Sequence, residues 1–421
     1  RFSLVTGVQT CALPISEVNM KNPTVVLVGI GGYGNLYVNE LLKLSAEGKC
    51  SFVAAVEPFP QSAPGYERLC DAGVKIYKTL GECYADFSPD LCCISAPIQF
   101  HTRYTLYALT HGSSVLCEKP LSADWRDAEL ITTEAEKRGL FVMSGYQWSH
   151  SHAILSLKKD ILAGKFGAPV SMKTIILWPR RQSYFKRGSG WAGTKYASDG
   201  TPVFDSVANN AAAHYLHNML YLLGDKLDAA ATPDSVDAEL FRANPIENFD
   251  TSLIRANFGR VSALFIASHA IAKNVNPRFE YAFENGTVYY DQDGCGSVIR
   301  AKMNSGETIE YGDPFEHDAN KVDIAVNNAS VDKSEWFLPC TAETASVHTR
   351  CICALENCGI VSFPDSMINV LDKERDPLRT AEGLDELLEK CYADGKLISE
   401  EASYSDIGKI TKTEYNIKVE K

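Results

Sequence analysis

Six residues near the start of the chain have the types and spacing to hold a phosphate. Gly29-Ile30-Gly31-Gly32-Tyr33-Gly34 ends the apolar run 24–30 and opens a helical stretch, a GxGxxG pattern between strand and helix. In that setting the first glycine permits a tight turn, the second lets the backbone approach a pyrophosphate, and the third allows close helix–strand packing. The helix N-terminus then faces the phosphate charge. Glu57 closes the next apolar run, 23 residues after Gly34. A carboxylate there can accept hydrogen bonds from both ribose hydroxyls and would repel a 2′-phosphate. NAD is therefore the expected cofactor, with NADP the alternative.

Two other groups of residues could do chemistry. Arg180, Arg181, Lys186 and Arg187 cluster in one loop, which is read here as part of a small-molecule pocket. His214 and His217 stand three apart on one helical face, a spacing a metal could use. No carboxylate or cysteine completes a ligand set, so no metal is expected. The thirteen cysteines show no paired CxxC spacing, and Cys92, Cys93 and Cys117 sit in apolar strand patterns as small hydrophobes. A reducing cytoplasm is the expected setting.

The elements that must position these groups alternate. Strands are expected at 24–30, 52–56, 74–77, 91–95, 114–118 and 140–144, with helices between them at 34–44, 100–111 and 123–138. Such alternation predicts a doubly wound parallel sheet, the Rossmann arrangement, covered on both faces. After about residue 150 the pattern changes. Helices are expected at 153–163, 207–223, 341–357 and 379–393. Extended segments are expected at 170–177, 236–242, 250–258, 261–269, 279–284 and 287–291, with a long loop over 178–206. Turn residues between consecutive strands, such as Asn285-Gly286, predict an α+β domain with a large, mostly antiparallel open sheet. The expected organisation is 21–149 for dinucleotide binding and 150–421 for substrate binding and oligomerisation.

Composition narrows the class. Net charge is −12, and no basic footprint for nucleic acid exists beyond the one loop. No apolar run is long enough to cross a bilayer. Residues 1–20 are expected to be an artefactual leader. Their apolar content is broken by Gly7, Gln9 and Thr10, GVQTCALPI looks like a translated sequencing adapter, and Met20 is the natural start.

The segment 96–120, APIQFHTRYTLYALTHGSSVLCEKP, resembles the Gfo/Idh/MocA family of sugar and cyclitol oxidoreductases. The likeness continues through Gly145-Tyr146-Gln147, 163–170, Trp191-Ala192-Gly193 and His214…Gly224. It implies that Lys119 of Glu118-Lys119-Pro120 sits between nicotinamide and the substrate hydroxyl, where an ammonium would stabilise developing alkoxide charge. It implies that His214 is the general base. Asn210 stands where the family carries aspartate, and Asp205 is the nearest carboxylate that could replace it. Pro97, His101, Glu118 and Gln147 are implied at the cofactor. Trp148, Arg180, Tyr184, Lys195 and His217 are implied at the substrate, Trp148 as a flat face for a pyranose ring.

The resulting expectation is an NAD(P)-dependent dehydrogenase acting on a secondary hydroxyl of a sugar, sugar derivative or cyclitol. It would be a homo-oligomer, dimer or tetramer, assembled through the open sheet face. Two alternatives stand beside it. One is a redox-neutral NAD-using glycosidase that oxidises a sugar carbon transiently. The other is a non-catalytic dinucleotide-binding regulator.

Overall fold

The computed structural model describes residues 21–187, 190–294, 296–401 and 407–421; the expected leader lies outside them. Six strands form the first sheet: β1 Thr24–Val28, β2 Ser51–Val56, β3 Lys75–Tyr77, β4 Leu91–Ile94, β5 Ser114–Cys117 and β6 Val142–Ser144. All pair in parallel in the order β3-β2-β1-β4-β5-β6. Apart from the edge strand β3, these strands are short, apolar and mostly buried, as a sheet covered on both faces requires.

Local chemistry sets the helix ends. The helix Arg126–Arg138 carries Asp127 and Glu129 in its first turn and Lys137 and Arg138 in its last, charges that oppose the helix dipole at both termini. Gly139 stops it in the left-handed region at φ 66°. Thr79 and Glu82 form a reciprocal cap on the helix Leu80–Asp86.

The second sheet has ten strands: β7 Pro169–Leu177, β8 Ser235–Arg242, β9 Thr251–Phe258, β10 Val261–Ser268, β11 Val275–Phe283, β12 Gly286–Asp291, β13 Ile299–Met303, β14 Thr308–Gly312, β15 Ile360–Ser362 and, after the small hairpin β16 Ile368–Leu371 and β17 Leu378–Ala381, β18 Thr413–Lys418. The order is β14-β13-β12-β11-β7-β10-β9-β8-β15, with β18 also on β8; only β7–β10 and β8–β15 pair in parallel.

Several expectations need correction. The run 379–393 is not one helix: residues 378–381 are a strand, and the helix Leu384–Asp394 begins only after Gly383 at φ 72°. The stretch 207–223 is likewise split. A wide turn over Val207–Ala211 precedes the helix Ala213–Leu222. The hairpin β13–β14 and the helix Asn320–Ser330 had no counterpart in the sequence reading. The central part of the sheet face expected to be open is covered by the chain itself: Ile175, Leu253, Leu264 and Ile266 pack against Leu384, Leu387, Leu388 and Ile398.

The two halves share their cores. Val322, Ala325 and Val326 of the helix Asn320–Ser330 pack on one face of the Rossmann sheet with Val25, Leu27 and Leu116. Ala342 and Ala345 pack with Val115 and Ala135 on the other. The first helix of the dinucleotide fold therefore has a neighbour from the far end of the chain. Among the described residues, no helix is long and apolar enough to cross a membrane.

Candidate active site

The glycine turn has the geometry its spacing predicts. Gly29 has φ 84°, and a Cβ there would sit 2.4 Å from the Ser95 carbonyl oxygen. A Cβ on Gly34 would sit 2.2 Å from the carbonyl oxygen of Gly29, so helix and turn touch through bare backbone. Gly31 and Gly32 differ: nothing lies within 4 Å of a Cβ added to either. That side of the turn is open. The helix Gly34–Ala46 starts with no side-chain cap; its first amides, Gly34, Asn35 and Leu36 N, donate to the carbonyls of Gly31, Gly32 and Tyr33 at 2.9, 3.3 and 3.0 Å. Glu57 borders the turn, its carboxylate accepting from Ile30 N at 3.3 Å and Phe59 N at 3.2 Å. Pro97 is exposed at the rim beyond β4. Tyr33 is 44% exposed and donates to Gln147 Oε1 at 2.9 Å, so these two close one edge. The residues present therefore fit a dinucleotide.

Glu118 is not at the cofactor surface. It is buried, and its oxygens accept from Tyr37 Oη at 2.7 Å, from Lys119 N at 3.1 Å and from Lys321 Nζ. Lys321 is wholly buried and also donates to the Gly145 carbonyl at 3.1 Å and Tyr33 Oη at 3.2 Å. Burial pushes the Glu118 carboxyl up, but Lys321 and Tyr37 outweigh it and hold it below its ordinary range. Burial likewise disfavours the Lys321 ammonium, and Glu118 more than restores it. Gly145 is required here, because a Cβ would fall 2.9 Å from Glu118 Cα. Sequence reasoning missed Lys321 and Tyr37. The acidic partner was visible, its cation was not.

One residue on, the surroundings change. The Lys119–Pro120 peptide is cis. Lys119 Nζ donates to Asn210 twice, to the carbonyl oxygen at 2.6 Å and to Oδ1 at 3.1 Å. Asn210 Nδ2 donates to Asp205 Oδ1 at 2.8 Å, and Asp205 Oδ2 accepts from Gly193 N at 2.5 Å. Asp205 thus reaches Lys119 only through a neutral amide. Burial, not compensated by a direct carboxylate, pushes the Lys119 ammonium down to about 8. Burial pushes the Asp205 carboxyl up.

His214 lies four residues beyond Asn210, at the start of the helix Ala213–Leu222. Burial, then the Lys119 charge, hold its imidazole well below the usual range, and its Nδ1 is buried with no hydrogen-bond partner. It is a neutral ring with a free nitrogen.

Other expected contacts are relocated by packing. Trp148 is 1% exposed and lies in the second core, edge-on to Tyr215, Tyr290 and Phe315, so it offers no face to a sugar. His217 is also buried, stacked on Tyr146 at 3.9 Å with Nε2 3.1 Å from Ser149 Oγ. His101 is buried, with ring nitrogens 2.7 Å from the carbonyls of Pro120 and Ala96; it holds the turn that carries Lys119. Lys195 is engaged by Glu356, through its carbonyl at 3.0 Å and its carboxylate at 3.5 Å. Arg180 and Tyr184 do line a cavity of about 510 Å³. A second cavity of about 470 Å³ is bordered by Ala192, Gly193 and Thr194, behind the backbone amide that Asp205 holds. Neither is lined by Lys119 itself. No group able to hold a metal occurs among the described residues.

Comparison with known proteins gives a consistent pattern. Residues 24–146 match the oxidoreductase family GFO_IDH_MocA, described by its NAD-binding Rossmann fold. A scyllo-inositol 2-dehydrogenase (NADP+) of Bacillus subtilis is 22% identical over 291 residues, 66% of this chain and 72% of its own. A 2,7-anhydro-N-acetylneuraminate hydratase of Mediterraneibacter gnavus is 25% identical over 149 residues, 35% of this chain and 38% of its own. The match spans less than half the length of the first curated relatives. Among solved structures, a WlbA dehydrogenase from Chromobacterium violaceum, in complex with NADH and UDP-GlcNAcA, superposes with a TM-score of 0.65 at 17% identity. It covers 81% of this chain and 95% of its own, and shares the fold.

Proposed function

We propose that this chain, whose residues 24–146 match the Gfo/Idh/MocA oxidoreductase family, moves a hydride between a nicotinamide dinucleotide and a secondary hydroxyl of a sugar, sugar derivative or cyclitol. The observation that carries this reading is the Lys119 ammonium, held at 2.6 and 3.1 Å by Asn210, four residues before a neutral His214.

The cofactor is NAD. Gly29, Gly31, Gly32 and Gly34 make the pyrophosphate turn, Tyr33, Pro97 and Gln147 form its rim, and Glu57 takes the ribose hydroxyls. The bound nicotinamide supplies the hydride acceptor. The chain's own residues handle the proton and the charge. Two of the three Lys119 donors are taken by Asn210, leaving one for the substrate oxygen, where it stabilises developing negative charge. His214, a neutral imidazole, takes the hydroxyl proton. Asn210 orients the ammonium, and Asp205 in turn orients Asn210 without neutralising the lysine.

The test is turnover of the purified, NAD-loaded chain against a panel of sugars and cyclitols, read as absorbance of reduced nicotinamide. Accumulation of NADH with one class supports the dehydrogenase. The hydratase name of one relative favours a second reading, transient oxidation with no net redox change. Release of product without NADH would select it. Binding of NAD with no chemistry on any compound would leave a dinucleotide-binding regulator.

A further inference from the structure

We propose that Arg180 and Arg187, gathered around the single ring of Tyr184, form a subsite for an oxyanion, so that the substrate is a sugar carrying a carboxylate or phosphate. This deepens the dehydrogenase reading and rests on it, because the subsite is placed relative to Lys119.

The geometry is as follows. The Arg187 guanidinium lies 3.7 Å from the Tyr184 ring centre and 5.1 Å from that of Trp191. The Arg180 guanidinium lies 5.0 Å from Tyr184 and 5.6 Å from Trp178. Two like charges therefore share one aromatic support. Aromatic faces attract a guanidinium but do not neutralise it. Among the described residues neither arginine has a salt-bridge partner, and Arg180 Nε is buried without any hydrogen bond. The adjacent Arg181 behaves differently: it pairs with Asp372 at 2.7 Å. Leaving a buried guanidinium N–H unmade is costly, and the group that best satisfies two planar forks is a carboxylate or phosphate.

The pair is tied to the reaction centre through the loop it begins. Two residues after Trp191, which lies under Arg187, the Gly193 N–H holds Asp205, which holds Asn210, which holds Lys119. The positive charge of Arg187 reaches both Lys119 and Asp205. His269, in ring contact with Tyr184, adds no charge, since burial and then Arg180 push its imidazole down to about 3. The cavity of about 510 Å³ bordered by Arg180 and Tyr184 can accept a group of this size. A chain of net charge −12 repels anions in general, so this concentration of cations is local.

The test uses the NAD-loaded full chain and matched probes: hexuronates and hexose 6-phosphates, each against its parent neutral hexose, measured by calorimetry and by nicotinamide reduction. At least one anion should bind roughly tenfold or more tighter than its neutral parent. R180M and R187M should each remove most of that preference while leaving NAD affinity unchanged. Preference for the uronates identifies a carboxylate, preference for the 6-phosphates a phosphate. Equal binding of anions and neutral parents, no anion binding at millimolar concentration, or anion preference retained in both variants would overturn the subsite and leave the dehydrogenase reading intact. Failure to bind NAD would overturn both.

Discussion

Lys119 and Lys321 meet at the same turn, on either side of Glu118, and end in opposite electrostatic states. Lys321 touches a carboxylate directly and stays above its ordinary pKa despite complete burial. Lys119 touches only the neutral oxygens of Asn210, and burial brings it down to about 8. Both are buried, so burial alone does not separate them. What separates them is whether a carboxylate makes direct contact or acts through an amide. The first arrangement fixes a cation in place as a tie between the Rossmann sheet and the helix Asn320–Ser330. The second leaves an ammonium that titrates at about 8.

Breaking the tie should give the largest effect. Lys321→Met leaves Glu118 buried and unpaired, and should lower unfolding free energy by roughly 3–5 kcal/mol in a urea titration. Adding Glu118→Gln should recover part of the loss, because the pair and not each residue carries the effect. The mirror experiment is Lys119→Ala. It should reduce kcat by roughly 10²–10³-fold with NAD affinity little changed. If it instead destabilised the chain and spared turnover, the contrast between the two lysines would be reversed.

A third substitution makes the two environments alike. Asn210→Asp gives Lys119 a carboxylate in contact, and its pKa should rise by roughly 1–3 units. Lys119 acts here as a charged donor, so activity is present below its pKa and is lost as pH rises through about 8. The alkaline limb of kcat/KM should move upward in the variant. His214 is held well below its usual range and remains neutral, so the acid limb of the wild type should fall below pH 6.5. The smallest effect concerns the cofactor end, away from both cations. Glu57→Gln should reduce the preference for NAD over NADP by roughly tenfold, read from the two dissociation constants.

The parts legible in the sequence were local. The first six strands appear within a few residues of their expected places, because short apolar runs bounded by turn residues carry their own period. Gly29 and Gly34 were legible because only a residue without Cβ tolerates those contacts. The helix 379–393 was misread because Gly383 starts the helix rather than interrupting it, and 378–381 pairs with β16 instead. Trp148 looked like a ligand face because it follows Gln147, which the resemblance implies at the cofactor. Its direction is set by Tyr215, Tyr290 and Phe315, which come from three other segments.

The sequence by itself determined the glycine turn and the parallel sheet that carries it, because both follow from backbone sterics and from periodicity over a few residues. Lys119 was singled out by family resemblance alone. Only the tertiary structure decided the charge state of those groups. Glu118 and Lys321 are 203 residues apart, Lys119 and Asn210 are 91 apart, and Arg180 and Arg187 converge on the one ring of Tyr184. Coulomb energy depends on distance and burial, and neither can be read along the chain.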